Sequence, residues 1–186
     1  IFDVCAAPGG KSVYLSKLYP DSEILSNDLH EHRTELIKQY KKRYNCINID
    51  TMSSDITVYN NKFDNKFDCI LCDVPCSGLG IISSKPDILL NRSEEDITSI
   101  TKIQSNILAT SAKYLKQGGV IIYSTCTILP EENQNIVNNF LKTHSDFTST
   151  AIYLPAEIGT RIDNYIQLYP YKDDTEGFFI ARLTKL

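Results

Sequence analysis

Two cysteines stand in polar turns that each follow an apolar, strand-like run: Cys76 in DVPCSG and Cys126 in YSTCTILPEEN. A thiolate is a strong nucleophile once its pKa falls. The bend around Cys76 is stiffened by Pro75 and loosened by Gly78, which suits a thiol that must be presented rather than packed. The competing reading is two buried thiols acting as small hydrophobes, the common fate of a free cysteine. His30, His32 and His144 have no protease-like context, so the thiols are expected to attack something other than an amide. Asp73 closes the run FDCILCD and brings a carboxylate to the same place.

A second group lies near the start of the chain. Cys5, Ala6, Ala7, Pro8, Gly9, Gly10 and Lys11 form a nucleotide-type turn after a first strand, where glycine lets backbone approach a ligand closely. The turn is neither GxGxxG nor GxxxxGK[ST], which argues against a dinucleotide and against simple phosphate cradling. Asp28 ends the second strand-like run, where a carboxylate can hold ribose hydroxyls. A ribose-bearing cofactor is therefore expected. No metal site is expected: Cys69 and Cys72 would point to opposite faces of a strand, and no CxxC or His pair accompanies them.

The elements that must position these groups alternate. Strands are predicted to end near Val4 and to cover 22–28, 46–50, 67–73 and 120–125. Helices are predicted over Ser12 to Leu18, Glu31 to Tyr44, Ser93 to about Lys116, and from Pro130 to near Thr143. Ser93 and Asp96 suggest a capping box, Gly118-Gly119 a helix stop, and Pro130-Glu131-Glu132 a helix start. Ile97, Ile100, Ile103, Ile107 and Leu108 share one face of the third long helix. Residues 51–66 and 145–164 show no clear pattern, and YIQLYPY with GFFIARL reads as a closing antiparallel hairpin. The class is α/β with a largely parallel sheet. Ligands in such sheets sit beyond the carboxyl ends of the strands, which gathers Asp3, Cys5, Asp28, Asp50, Asp73, Cys76 and Cys126 on one rim.

The 186 residues suffice for one domain with a real core, and 42% apolar with 23% charged residues is ordinary for a globular chain. No apolar run is long enough to span a bilayer, so no membrane partner is expected. The net charge of -4 is not that of a nucleic-acid binder, and the basic run from Lys38 to Arg43 reads as a solvated helix face. Free cysteines in strand-like runs indicate a reducing, cytoplasmic setting. The chain opens on a strand without Met, so the expectation is a fragment.

CAAPGGK, the Asp28 strand end, DVPCSG, YSTCTILPEEN and EGFFIARL, in this order, resemble the Sun/Fmu family of RNA cytosine-C5 methyltransferases, and within it the bacterial small-subunit ribosomal RNA type B. KPDI at 85–88 adds to the likeness, which covers about residues 2–184. The resemblance implies a Rossmann-like, S-adenosylmethionine-dependent methyltransferase fold. It implies seven mostly parallel strands, a C-terminal antiparallel hairpin and helices on both faces. It implies a single catalytic domain over 1–186, with RNA binding delegated to an N-terminal region, 16S ribosomal RNA as the partner, and a monomer with no obligate protein partner. By motif, Cys5 to Lys11 would wrap the methionine and ribose side of the cofactor and Asp28 would hold the ribose. Asp50, with Asp55 as the other candidate, would lie near the adenine amino group, and Asp73 near the sulfonium end and the target base. Cys126 would attack cytosine C6, Cys76 would serve release, and Lys11 would help orient the base edge. Tyr123, Ser77 and Thr125 receive no role. A DNA-type mechanism would instead make Cys76 the nucleophile, and a cofactor-binding scaffold would use neither thiol.

Overall fold

The computed structural model describes residues 1–154 and 158–186. The three residues between them fall within the stretch read above as patternless and lie outside the described residues. The elements are β1 Phe2–Asp3, α1 Gly10–Leu18, β2 Ile24–Asp28, α2 Glu31–Arg43, β3 Ile49–Ser53, β4 Phe67–Asp73 and α3 Glu94–Tyr114. There follow β5 Leu115–Thr125, α4 Gln134–Thr143, β6 Phe147–Thr150, β7 Thr160–Ile162, β8 Tyr165–Leu168, the single-turn α5 Pro170–Asp173 and β9 Phe178–Lys185.

The strands join one sheet in the order β3-β2-β1-β4-β5-β9-β8-β7, with β6 on the far part of β9. The five strands from β3 to β5 are parallel; β9 runs antiparallel to β5, β8 and β6. The sheet thus has nine strands among the described residues, not seven. The two beyond expectation are β6 and β7, in the stretch that showed no pattern. FTST and TRI are too short and polar to announce themselves, and they are strands because β9 and β8 offer edges to pair with. The helices form two groups, α1 with α2 and α3 with α4.

The central frame is apolar by alternation and by burial. Ile70 and Ile121 are paired across β4 and β5 and fully buried. Each contributes about 2 kcal/mol, so the strand ends that carry the site are held by the firmest part of the core. The chain leaves β1 toward β2 and β3, then returns to place β4 on the other side of β1. This is the topological switch at which open α/β sheets bind ligands.

Three boundaries depart from expectation. α3 stops at Tyr114, and Gly118-Gly119 lie inside β5 rather than ending a helix. Between Phe67↔Leu115 and Cys69↔Val120 the register shifts, and the surplus residues of β5 bulge through Gly118 at φ 75°. α4 begins at Gln134, because Pro130 to Asn133 form a turn whose Glu132 and Asn133 are fully buried. β3 spans 49–53, not 46–50, since its pairing with β2 starts at Ile24↔Ile49. The expected capping box is present: the Ser93 hydroxyl accepts from the Asp96 amide, and the Asp96 carboxylate accepts from the Ser93 amide. Ile107 and Leu108 are buried, but Ile103 is 44% exposed.

Candidate active site

A cleft of about 440 Å³ opens at the carboxyl ends of β1, β2, β3 and β4. Val4, Ile56, Ile103 and Ile107 give it apolar walls, which explains why Ile103 is not core. Asp28, Asp55, Asp73, Cys76 and Cys126 line the same space. A smaller lobe of about 260 Å³ lies against Cys5, Ala6, Ala7, Pro8, Gly10, Lys11 and Asp73. The turn between β1 and α1 presses on α2: Gly9 has φ 110°, and a Cβ there would stand 3.1 Å from the Ile37 Cα.

The two thiols meet at the end of the cleft. Cys76 Sγ lies 3.1 Å from Cys126 Sγ, and the Cys126 backbone N–H donates to Cys76 Sγ at 3.3 Å. Both cysteines are free. The hydrogen bond between the two thiols lowers the pKa of Cys126, against the opposing effect of burial. The same bond, with burial, raises the pKa of Cys76. Either sulfur can donate in this contact, so the two thiols form one close, partly buried pair with the Cys126 N–H directed at Cys76 Sγ.

Asp73 sits beside them with both oxygens engaged. Lys11 Nζ donates to Oδ2 at 2.7 Å, and the Ser124 hydroxyl donates to Oδ1 at 2.7 Å. Lys11 is thus in an ion pair at the site rather than free in solvent. Asp28 is buried, with Oδ1 accepting from the His30 amide at 3.2 Å and lying 3.4 Å from Arg33.

Asp50 does not join this group. It is the second residue of β3, paired with Leu25, and its side chain is 92% exposed at the far end of the sheet, near Ile1, Asp21 and Lys116. The register of β3 carries Asp55, not Asp50, past the strand end and into the cleft, where it accepts from the Thr57 amide at 2.9 Å. Tyr123, Ser77 and Thr125 are fully buried in a polar network described below. That network was not visible in sequence. Its only signal was the polar run PEEN, which looked like a helix start. Among the described residues no cluster suited to a metal ion is found, and no helix is long and apolar enough to cross a membrane.

Asp3 lies under the smaller lobe and is fully buried. Burial pushes its carboxyl up to about 7, against a hydrogen bond from Ser12 at 2.6 Å. Between the ordinary carboxylate range and that value the native state holds a proton that the unfolded chain releases. Its contribution to stability is complete in acid and is lost as the pH rises toward 7. Asp3→Asn removes this titration. The wild-type-minus-variant difference in unfolding free energy should fall by up to about 4 kcal/mol across about pH 4 to 8. Urea unfolding at several pH values measures it, and a difference independent of pH would refute the assignment.

The residues fit an adenosine-type sulfonium ligand: apolar walls from Val4, Ile56 and Ile107, acids suited to hydroxyls and positive charge, and a smaller space beside Lys11. Comparison with known proteins agrees. The family model described as 16S rRNA methyltransferase RsmB/F matches residues 1–184. Ribosomal RNA small subunit methyltransferase B of Photorhabdus laumondii is 39% identical over all of this chain and 42% of its own length. The probable enzyme of that name in Bacillus subtilis is 36% identical over all of this chain and 43% of its own. NSun6 from Pyrococcus horikoshii, solved with the S-adenosylmethionine analogue SFG, superposes with a TM-score of 0.84 at 29% identity. That match covers 99% of this chain and 47% of NSun6. This chain spans less than half the length of those relatives. A cleft at the switch point, a close thiol pair at its end and a match that runs almost end to end place the chain in the RsmB/F family of S-adenosylmethionine-dependent methyltransferases.

Proposed function

We propose that this chain is the catalytic domain, over 1–186, of an enzyme that methylates C5 of a cytidine in RNA, in small-subunit ribosomal RNA by analogy with the names of its relatives. The observation that carries the proposal is the pair of Cys126 and Cys76, 3.1 Å apart beside Asp73 at the end of the cleft. The setting is cytoplasmic and the working unit a monomer.

Cytosine C5 is a poor nucleophile. Addition of the Cys126 thiolate to C6 forms a C–S bond and makes C5 enamine-like. S-adenosylmethionine supplies a methyl group on a positively charged sulfur, and C5 takes it. The C5 proton must then leave, its electron pair re-forming the C5–C6 double bond as the C–S bond to Cys126 breaks. Cys76, whose sulfur lies 3.1 Å from that of Cys126, stays next to the adduct, which suits a role in release. Asp73 stabilises the N3/N4 edge of the base, and Lys11 and Ser124 fix its carboxylate. With the cofactor bound, Val4, Ile56 and Ile107 would offer apolar walls to the adenine, Asp55 would take its amino group, Asp28 would take the ribose hydroxyls, and Cys5 to Lys11 would border the methionine part.

RNA carrying tritium at cytidine C5 should lose it to water in step with methyl transfer; transfer with the label retained would overturn the C5 assignment. Asp28→Asn should weaken S-adenosylmethionine binding about tenfold, the loss of a charge-assisted hydrogen bond. Asp50→Asn should leave binding unchanged. Calorimetric titration distinguishes the two, and the opposite ranking would restore Asp50 to the site.

A further inference from the structure

The turn Pro130 to Asn133 grips both thiol loops with adjacent side chains. Glu132 Oε2 accepts from the Ser77 amide at 2.8 Å and from Gln104 Nε2 at 2.9 Å. Gln104 Nε2 also donates to the Pro75 carbonyl at 2.9 Å. The peptide groups on both sides of Cys76 are thus tied to one carboxylate–amide pair, and both partners are fully buried. The Tyr123 hydroxyl anchors this pair from below by donating to the Glu132 carbonyl at 2.7 Å. Asn133 serves the other loop. Its Oδ1 accepts from the Thr125 hydroxyl at 2.5 Å, and its Nδ2 donates to the Thr127 carbonyl at 3.1 Å and to Gln167 Oε1 at 2.8 Å. Those contacts bracket Cys126.

Burying a carboxylate is costly, and Glu132 Oε1 has no partner among the described residues. An apolar residue would pack there more cheaply. The loops are instead held by a strong acceptor aimed at the Ser77 amide.

We infer that Glu132 and Gln104 are positioning residues for Cys76, and that Asn133 is the positioning residue for Cys126, so that one turn separately sets the two halves of the reaction. This rests on the proposed function, in which Cys126 attacks and Cys76 releases. Loosening the Glu132–Gln104 pair frees the peptides on both sides of Cys76, while the Asn133 contacts still hold Thr125 and Thr127 on either side of Cys126. Attack continues and release slows.

The test is a single-turnover time course with RNA and S-adenosylmethionine that follows the covalent protein–RNA adduct as it forms and decays. Glu132→Ala should leave adduct formation near the wild-type rate and lengthen its lifetime by about ten- to a hundredfold, as expected for a misplaced catalytic group. Glu132→Gln, which keeps an acceptor oxygen, should largely restore decay. Gln104→Leu, an apolar exchange in the middle of α3, should act like Glu132→Ala and serves if that variant does not fold. Asn133→Ala should slow adduct formation instead. Proportional slowing of both steps by Glu132→Ala and Gln104→Leu, or no change in either, would overturn the inference. Cys76→Ala, run in parallel, separates the two claims. If it fails to accumulate adduct, the proposed function is wrong; if it accumulates adduct and the Glu132 and Gln104 variants do not, only the positioning inference is wrong.

Discussion

Cys126→Ala is expected to lower methyl transfer by about 10⁴-fold or more, the scale on which loss of an attacking group acts in covalent catalysis. The variant should keep its fold, because Cys126 sits at the cleft rather than in the core. Its backbone N–H still has a place in the turn, and its carbonyl still accepts from the Gly80 amide at 3.0 Å. Cofactor affinity should be nearly unchanged, so the loss falls on the chemical step and not on binding. Serine at this position should not restore activity. A hydroxyl has a far higher pKa than a thiol and is not ionised at neutral pH. Methyl transfer by Cys126→Ala at even a tenth of the wild-type rate, measured with radiolabelled S-adenosylmethionine, would remove Cys126 from the mechanism.

Gly80→Ala is expected to lower stability at any pH. Gly80 lies where the connection after β4 touches both the Cys126 turn and the start of β9. Its amide donates to the Cys126 carbonyl, and its carbonyl accepts from the Gly177 amide at 2.7 Å. A Cβ on Gly80 would overlap the Gly177 carbonyl and stand 2.8 Å from the Cys126 carbonyl. These neighbours are backbone and cannot swing aside, so the segment itself must move. The cost is about 2–4 kcal/mol, and the melting temperature should fall by roughly 5–15 °C. Activity measured well below that temperature should fall as well, because the displaced carbonyl belongs to Cys126. An unchanged melting temperature would mean that this three-way contact is not as close as described.

The parts of this molecule that were legible in its sequence are those in which local chemistry and fold agree. FDCILCD and VIIYST are apolar runs ending in polar residues, and both are strands whose ends face the cleft. Asp28, Asp73, Cys76 and Cys126 could be placed from strand ends alone, because each strand end is fixed by its own residues. Asp50 could not. CINID has the composition of a strand, but the chain after α2 passes through Asn45 at φ 49° and leaves Ile47 87% exposed before pairing begins at Ile49. Register is set by the partner strand, which lies elsewhere in the sequence, and a shift of a few residues moves an acid from one end of the sheet to the other. Glu132 and Asn133 were hidden for the same reason. Acids after a proline fit the start of a helix, and only the arrival of Ser77, Gln104 and Gln167 from distant segments turns them into a buried clamp. β6 and β7 likewise exist only through the edges that β9 and β8 present.

The central claim is the division of labour between two thiols 3.1 Å apart. Its most direct test is to incubate the protein with small-subunit ribosomal RNA and S-adenosylmethionine, denature, and look for a protein–RNA adduct by gel. Wild type, Cys76→Ala and Cys126→Ala should be compared. Accumulated adduct with Cys76→Ala and none with Cys126→Ala is the result expected if Cys126 begins the reaction and Cys76 ends it. Adduct with Cys126→Ala and none with Cys76→Ala would contradict the account and make Cys76 the nucleophile.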